Sequence, residues 1–350
     1  MSKTIDPRGK LYHHLDHLVA LKNGKYLAPV SVEIDLSNRC SHGCSWCRFG
    51  YTHTRGPLAG KMEKPQDAIE GGDLMSDELA WDVLEQLAEA GVKSITFTGG
   101  GEPTLHPHFN KIAWRAHALG LELGIYTHGG HIDIERAVLL KSTFKWVYIS
   151  LDECTPEAFK ASKGVGRFEA VLAGIRNLVD AEGDATITVG FLLHKDNCRQ
   201  VYNMVQLGTS LGVDYVQFRP LLDYEPNRDT TWTTEAVAHL KYYADDPFVI
   251  ADTSRFAMYA AWKEHGYATC NWSALQTVIT PNGKVWTCTD KREHPDALLG
   301  DLSVETFEML WARRGGPCQV NAGCRLLCKG HLGNLEMTQI FADAPHQNFV

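Results

Sequence analysis

No apolar run in this 350-residue chain reaches the length of a membrane-spanning helix, which argues against a bilayer-embedded protein. Nor does the chain start with an apolar stretch and a basic flank, so nothing in it points to secretion or an oxidising compartment. No Lys/Arg tract offsets the formal net charge of -8, which argues against nucleic-acid binding as the main task. Repeats and low-complexity segments are missing too. Cysteine is too scarce for a disulfide scaffold, at 10 in 350 residues. Without a secretory signal, those thiols are expected to be reduced and the chain cytoplasmic. What remains, 44% hydrophobic and 22% charged, describes an ordinary soluble globular protein with room for one large domain and a smaller one.

The cysteines that are present are not scattered evenly. Cys40, Cys44 and Cys47 stand in the run Cys40-Ser41-His42-Gly43-Cys44-Ser45-Trp46-Cys47, a C-x3-C-x2-C spacing. Zinc sites usually pair cysteines twice over to reach four ligands. A trio with no local fourth fits an iron–sulfur cubane held at three corners, with its last iron open. Five more cysteines, Cys270, Cys288, Cys318, Cys324 and Cys328, fall in the C-terminal stretch. Cys154 and Cys198 belong to neither set and read as small buried hydrophobes.

Between about residues 30 and 220, strand-like and helix-like segments alternate. Val30, Val32, Ile34 and Leu36 share one face of the first strand, and Ser31, Glu33 and Asp35 share the other. Ser76 reads as the N-cap of a helix that Gly91 closes. Further strands are expected at Ser94–Thr98, Leu123–Thr127, Trp146–Leu151, Thr186–Leu193 and Tyr215–Phe218. Helices are expected to end near Gly120, over Phe168–Ala181, and from Val201 to Leu211 before Gly212. Six strand–helix units in a row imply an α/β fold with a parallel sheet. Four segments follow: 1–29, an N-terminal piece; 30–221, the core; 222–262, a connector with a polar start; and 263–350, a cysteine-rich domain.

Chemistry-bearing residues cluster at predicted strand ends. The trio follows the first strand, and Thr98-Gly99-Gly100-Gly101-Glu102-Pro103 follows the second, where glycines allow close backbone approach and Glu102 can accept hydrogen bonds. Thr127-His128-Gly129 ends the third strand and Ser150-Leu151-Asp152 the fourth. His106 and His108 lie near enough to this region to touch a substrate. His13, His14 and His17 suggest a metal, but nothing supplies the remaining ligands.

The trio with an aromatic residue before its third cysteine, together with the Gly-Gly-Glu-Pro run, resembles the signature of the radical S-adenosylmethionine (radical SAM) superfamily. That resemblance implies a partial (β/α)6 TIM-like barrel with its site at the C-terminal strand ends. It implies a [4Fe–4S] cluster on Cys40, Cys44 and Cys47, with SAM chelating the open iron. Gly100, Gly101, Glu102, Thr127, Ser150 and Asp152 would then bind SAM. Lys160, Lys163 and Arg167 compete for its carboxylate, with Arg167 taken as the candidate. His128 departs from the Thr-Asn-Gly usual in the family. The C-terminal cysteines resemble those of twitch and SPASM extensions. Five thiols can ligate one auxiliary [4Fe–4S] cluster, not two. By that analogy Cys270, Cys288 and Cys328 are ligands, with Cys324 or Cys318 as the fourth. A structural zinc site is the rival reading.

What such a site would act on is less defined. In the family, one-electron reduction cleaves SAM to a 5′-deoxyadenosyl radical that takes hydrogen from an unactivated carbon. A flavodoxin or ferredoxin is the expected electron donor. Glu33, Asp35, His194, Gln217 and Arg219 are candidates to line the pocket, and Cys198 is a candidate hydrogen-atom donor to a product radical. The expectation is an enzyme that oxidises or epimerises a small polar metabolite such as a sugar or cyclitol. Modification of a peptide is the alternative, set second because the segment before the first strand is short for a leader-recognition domain. A non-catalytic, zinc- or cluster-stabilised binding protein is the reading of another class.

Overall fold

The computed structural model describes residues 7–47, 74–222, 229–261, 264–292, 294–321, 324 and 327–342. The connector's polar start at 223–228 lies outside them. Six strands stand where the alternation puts them: β1 (Ser31–Asp35), β2 (Ser94–Thr98), β3 (Glu122–Thr127), β4 (Phe144–Ser150), β5 (Thr186–Leu193) and β6 (Tyr215–Pro220). They pair in chain order and all parallel, forming the wall of a TIM-like partial barrel.

Helices cross between them: α3 (Asp77–Glu89), α4 (Phe109–Ala118), α5 (Ile134–Thr143), α6 (Pro156–Lys163), α7 (Phe168–Asp180) and α8 (Val201–Leu211), after α1 (Pro7–Leu11) and α2 (Leu15–Lys22) near the start. The Ser76 side chain caps α3 by accepting from the Leu79 backbone N–H. Gly91 and Gly212 take left-handed backbone at φ +84° and +74°, which ends the preceding helices. In α7, Phe168, Val171, Leu172, Ile175 and Leu178 recur at helical spacing and are buried.

Strand alternation sorts the two faces chemically. Val32 and Ile34, Ile95 and Phe97, Leu123 and Ile125, Val147 and Ile149, and Val216 and Phe218 point outward into one apolar cluster shared with the helices. Each such fully buried side chain contributes about 1.5–3 kcal/mol. The opposite face is polar and aromatic. Along the register it runs Glu33–Thr96–Gly124–Trp146 at one level. At the next, Tyr126 stands beside Tyr148 and then Thr188.

The C-terminal part joins this sheet on both flanks. After α9 (Trp232–Lys241), the connector contributes β7 (Val249–Ala251), a seventh parallel strand beside β6 that its three-residue length conceals in the sequence. Past α10 (Thr253–Ala261), β9 (Gln276–Ile279) lies parallel to β1 on the side away from β2. Strands β10 (Lys284–Trp286) and β11 (Leu298–Asp301) continue antiparallel, completing a ten-stranded sheet among the described residues. Strands β8 (Thr269–Cys270) and β12 (Cys318–Gln319) form a separate two-residue ladder. Between and after them come α11 (Phe307–Ala312) and α12 (His331–Phe341). Leu11 of α1, Leu18 of α2, Leu275 and Met337 of α12 share a small core, so the N-terminal helices pack on the C-terminal one.

Gly190 on β5 tests the inner face directly. A Cβ there would lie 1.9 Å from the Tyr148 hydroxyl. Gly190→Ala is expected to lower stability by about 1–3 kcal/mol through overpacking, seen as a fall in the urea midpoint. Removing the ring with Tyr148→Ala should recover part of that loss in the double variant. An unchanged midpoint in Gly190→Ala would refute this packing.

Candidate active site

The Cys40–Cys47 loop leaves the C-terminal end of β1 and is fastened on two sides. Gly101 N donates to Ser37 O at 3.0 Å and Glu102 N to Arg39 O at 2.7 Å. A Cβ on Gly101 would sit 2.1 Å from Arg39 O, and one on Gly99 3.0 Å from Ser37 O. The glycines thus let the turn after β2 close onto the backbone just before Cys40, a chain–chain approach where the sequence suggested a chain–ligand one. On the other side Gly43 N donates to Lys163 O at 2.7 Å and Ser45 N to Ser162 O at 2.8 Å, so the end of α6 holds the loop's middle.

Glu102 is 2% exposed and stitches the turns after β2 and β3 together. Its Oε1 accepts from Thr104 Oγ1 at 2.6 Å, Thr104 N at 3.2 Å and Thr127 Oγ1 at 2.6 Å; its Oε2 accepts from His128 N at 2.8 Å. Thr127 in turn accepts from Gly129 N at 3.0 Å. His128, the departure from the family pattern, stacks on His42 with centroids 3.8 Å apart and planes 16° apart. Its Nδ1 accepts from Gly130 N at 3.0 Å, which leaves the proton of the neutral ring on Nε2, facing Ser41 Oγ at 3.1 Å. Burial, aided by the neighbouring His131, holds His128 well below the usual histidine range. Ser41 also bonds His131 Nε2 at 2.9 Å, and Arg167 reaches that nitrogen at 3.3 Å. Nothing in the cysteine pattern signals this histidine cluster; only the Thr-His-Gly departure hints at it.

The carboxylate candidates separate cleanly. Lys163 is buried, ion-paired with Asp152, and 5.2 Å from the Trp46 ring centroid. Asp152 takes a left-handed backbone at φ +62° and accepts from Leu192 N at 2.8 Å. Both are committed to each other, so Asp152 is a brace where the resemblance implied a SAM contact. Lys160 and Arg167 are exposed. Of the two, Arg167 meets the site, through His131. Ser150 is half-buried, level with Gly190.

Three further expectations shift. Cys198 is 2% exposed and packs in the apolar cluster between sheet and helices, its Sγ 3.7 Å from Glu235 Oε2 on α9, away from the inner face. His106 is an anchor: its Nε2 donates to Met75 O at 2.7 Å, while His108 pairs with Asp77. Glu33 does lie inside the barrel, but fully paired: Arg292 at 2.7 Å, Lys329 at 2.8 Å and Gln276 Nε2 at 2.9 Å. Asp35 takes the other arm of Arg292 at 3.0 Å. His194 stands by Glu153 and the Trp46 ring, and Gln217 is half-buried opposite Gly190. Arg219 donates to Tyr148 Oη at 2.5 Å.

Lys329 and Gln276 also line a hollow with Cys270, Cys288 and Cys328. Across the β8–β12 ladder, Cys318 stands in register with Cys270, whereas Cys324 engages Asn321. The sequence signalled neither Arg292 nor Lys329 beyond their nearness to Cys288 and Cys328.

Both thiol sets suit iron–sulfur clusters chemically. Burial pushes the Cys40 thiol well up and that of Cys44 up to about 11. Burial likewise lifts Cys270 and Cys328, and pushes Cys288 up to about 12. Thiolates so placed call for a strong local positive charge, which a metal centre supplies. Among the described residues no three His, Cys, Asp or Glu side chains converge as ligands of one ion do. A cubane is gripped at separate corners, so its thiolates need not converge.

A parallel sheet with a cysteine loop and a Gly-Glu turn at its first two strand ends defines a class. The sequence model of the radical SAM superfamily matches residues 34–207, and the chain belongs to that superfamily, whose members use a [4Fe–4S] cluster and SAM. It is 28% identical over 279 residues to a PqqA peptide cyclase of Streptomyces rochei, spanning 75% of this chain and 69% of that one. Its fold is similar to Streptococcus suis SuiB bound to its precursor peptide SuiA, with a TM-score of 0.62 at 15% identity, over 87% of this chain and 70% of that one. It is also similar to anSMEcpe with bound AdoMet, with a TM-score of 0.60 at 19% identity, over 82% of this chain and 78% of that one. Among the described residues no helix is long and apolar enough to cross a membrane.

Arg292→Met should cost about 3–5 kcal/mol, because it strands buried carboxylates without their cation. Burial alone would raise the Glu33 pKa, but Lys329 and Arg292 outweigh it and hold it below the usual carboxylate range. Its stabilisation is therefore full above that range and lost as pH falls through the lowered folded value. Urea midpoints measured from neutral to acid pH should fall less steeply in Glu33→Gln than in the parent. Equal slopes would contradict the pairing.

Proposed function

We infer that this radical SAM enzyme modifies a peptide substrate. The observation that carries the reading is the similarity to PqqA peptide cyclase. At 75% of the chain, it extends well beyond the core match at 34–207. The expectation of a small polar metabolite yields to it.

In this reading Cys40, Cys44 and Cys47 hold three irons of the first cluster. Bound SAM and a reduced cluster together supply a carbon radical able to abstract hydrogen. The protein's own part is positioning. Glu102 Oε2, with one backbone donor, keeps room for the SAM ammonium. Arg167 is the exposed cation for its carboxylate, the turns at Gly100, Gly101 and Thr127 flank Glu102 on the ammonium side, and Ser150 borders the ribose. The stacked His42 and His128 are both buried beside the loop and keep water from that side of it, which helps protect a reactive intermediate. Cys270, Cys288 and Cys328 hold an auxiliary cluster, with Cys318 opposite Cys270 as fourth ligand and Cys324 spare. A flavodoxin or ferredoxin delivers the electron.

Anaerobic reconstitution tests this. The parent should bind about eight irons per chain, for two cubanes, and release 5′-deoxyadenosine from SAM under strong reductant. Cys40→Ala should lose about four irons and all SAM cleavage. Zinc in place of iron, or no 5′-deoxyadenosine, would refute the reading.

A further inference from the structure

The inner wall from β3 to β6 carries a group outside the residues assigned above to SAM and the clusters. Tyr126, Trp146 and Tyr148 meet there. Tyr126 lies 5.0 Å from Trp146 at 66° and 4.9 Å from Tyr148 at 60° between ring centroids. Glycines make this crowding possible: a Cβ at Gly124 would fall 2.1 Å from the Trp146 ring. Over this shelf lies Arg219, its guanidinium carbon 4.7 Å from the Tyr148 centroid and 5.9 Å from that of Tyr126.

Arg219 is a permanent cation with five N–H donors. Its one hydrogen bond among the described residues goes to the Tyr148 hydroxyl. Its Nε is buried with no partner among those residues. No carboxylate among them pairs with it, because the acids of the same face are engaged elsewhere: Glu33 and Asp35 by Arg292, and Asp152 by Lys163. A half-buried guanidinium whose Nε is closed off from solvent is stabilised by an anion, and a planar fork over aromatic rings suits a carboxylate.

We propose that Arg219, on the Tyr126–Tyr148 shelf, is the receptor for a carboxylate of the substrate, either an acidic side chain or a peptide C-terminus. This rests on the peptide reading above and gives it a chemical preference. The aromatic rings restrict where the guanidinium sits, so the carboxylate would also fix which part of the substrate faces the strand ends.

Calorimetric titration of the anaerobically reconstituted full-length protein tests it. The probes are a short capped peptide with one central Glu, its Gln counterpart, the Gln peptide with a free C-terminus, and propionate against propionamide. Either the Glu peptide or the free-acid peptide should bind about tenfold or more tighter than the capped Gln peptide, the scale of one charged hydrogen-bonded contact. Whichever one does identifies the source of the carboxylate. Arg219→Gln should remove the preference with iron content unchanged. If that variant fails to fold, Arg219→Lys, which keeps charge but loses the fork, should weaken it several-fold. Arg219-dependent binding of propionate with no binding of any peptide would keep the carboxylate receptor and sink the peptide reading. Equal affinity of all probes in the parent, no binding of any probe, or a preference that survives Arg219→Gln would overturn the receptor itself.

Discussion

Two carboxylates buried inside the barrel, Glu33 and Asp35 on β1, set the terms for the rest of the molecule. Each would cost several kcal/mol if left unpaired. Their partners come from the far end of the chain: Arg292 bridges both, and Lys329 takes Glu33 from the other side. Strand β1 is also hydrogen-bonded to β2 on one edge and β9 on the other. The first strand can therefore be satisfied only when the cysteine-rich extension has docked. Lys329 follows Cys328 directly and lines the same hollow, so the pairing that anchors the extension also sets where its thiols stand relative to the barrel interior.

At the open end, a second set of constraints shapes the cradle around Cys40–Cys47. Gly99 and Gly101 bring the turn after β2 against the backbone of residues 37–39, and Glu102 ties that turn to the one after β3. Lys163 braces Asp152 and shelters Trp46, while the last turn of α6 holds Gly43 and Ser45. A site assembled from four strand ends is thus already stiff before a cofactor arrives, which reduces the ordering cost of binding.

The parts of this architecture that could be read from sequence are those with local signals. The succession of strand-like and helix-like segments placed β1 through β6, the Ser76 cap and Gly212 marked helix ends, and the cysteine spacings located both thiol sets. Long-range partnerships were not legible. Strand β7 is too short to show a period, and nothing in Gln276–Ile279 says that it lies beside β1. Glu33 and Asp35 read as free pocket acids because Arg292 and Lys329 are more than 250 residues away along the chain, as the separations of 259 and 296 for Glu33 show. Asp152 likewise looked like a ligand contact because its left-handed backbone and its pairing with Lys163 are tertiary facts. Cys198 allowed two readings by type, buried hydrophobe and hydrogen donor, and only the layer it occupies selects the first.

Barrel and extension thus form one cooperative body around the first strand. Hydrogen exchange on the anaerobically reconstituted protein tests it most directly, by comparing amides of β1 with those of β9. Both strands should open with the same free energy, and both should become equally less protected in Arg292→Met. Strand β9 exchanging at a much lower free energy than β1, with β1 protection untouched by the substitution, would contradict it.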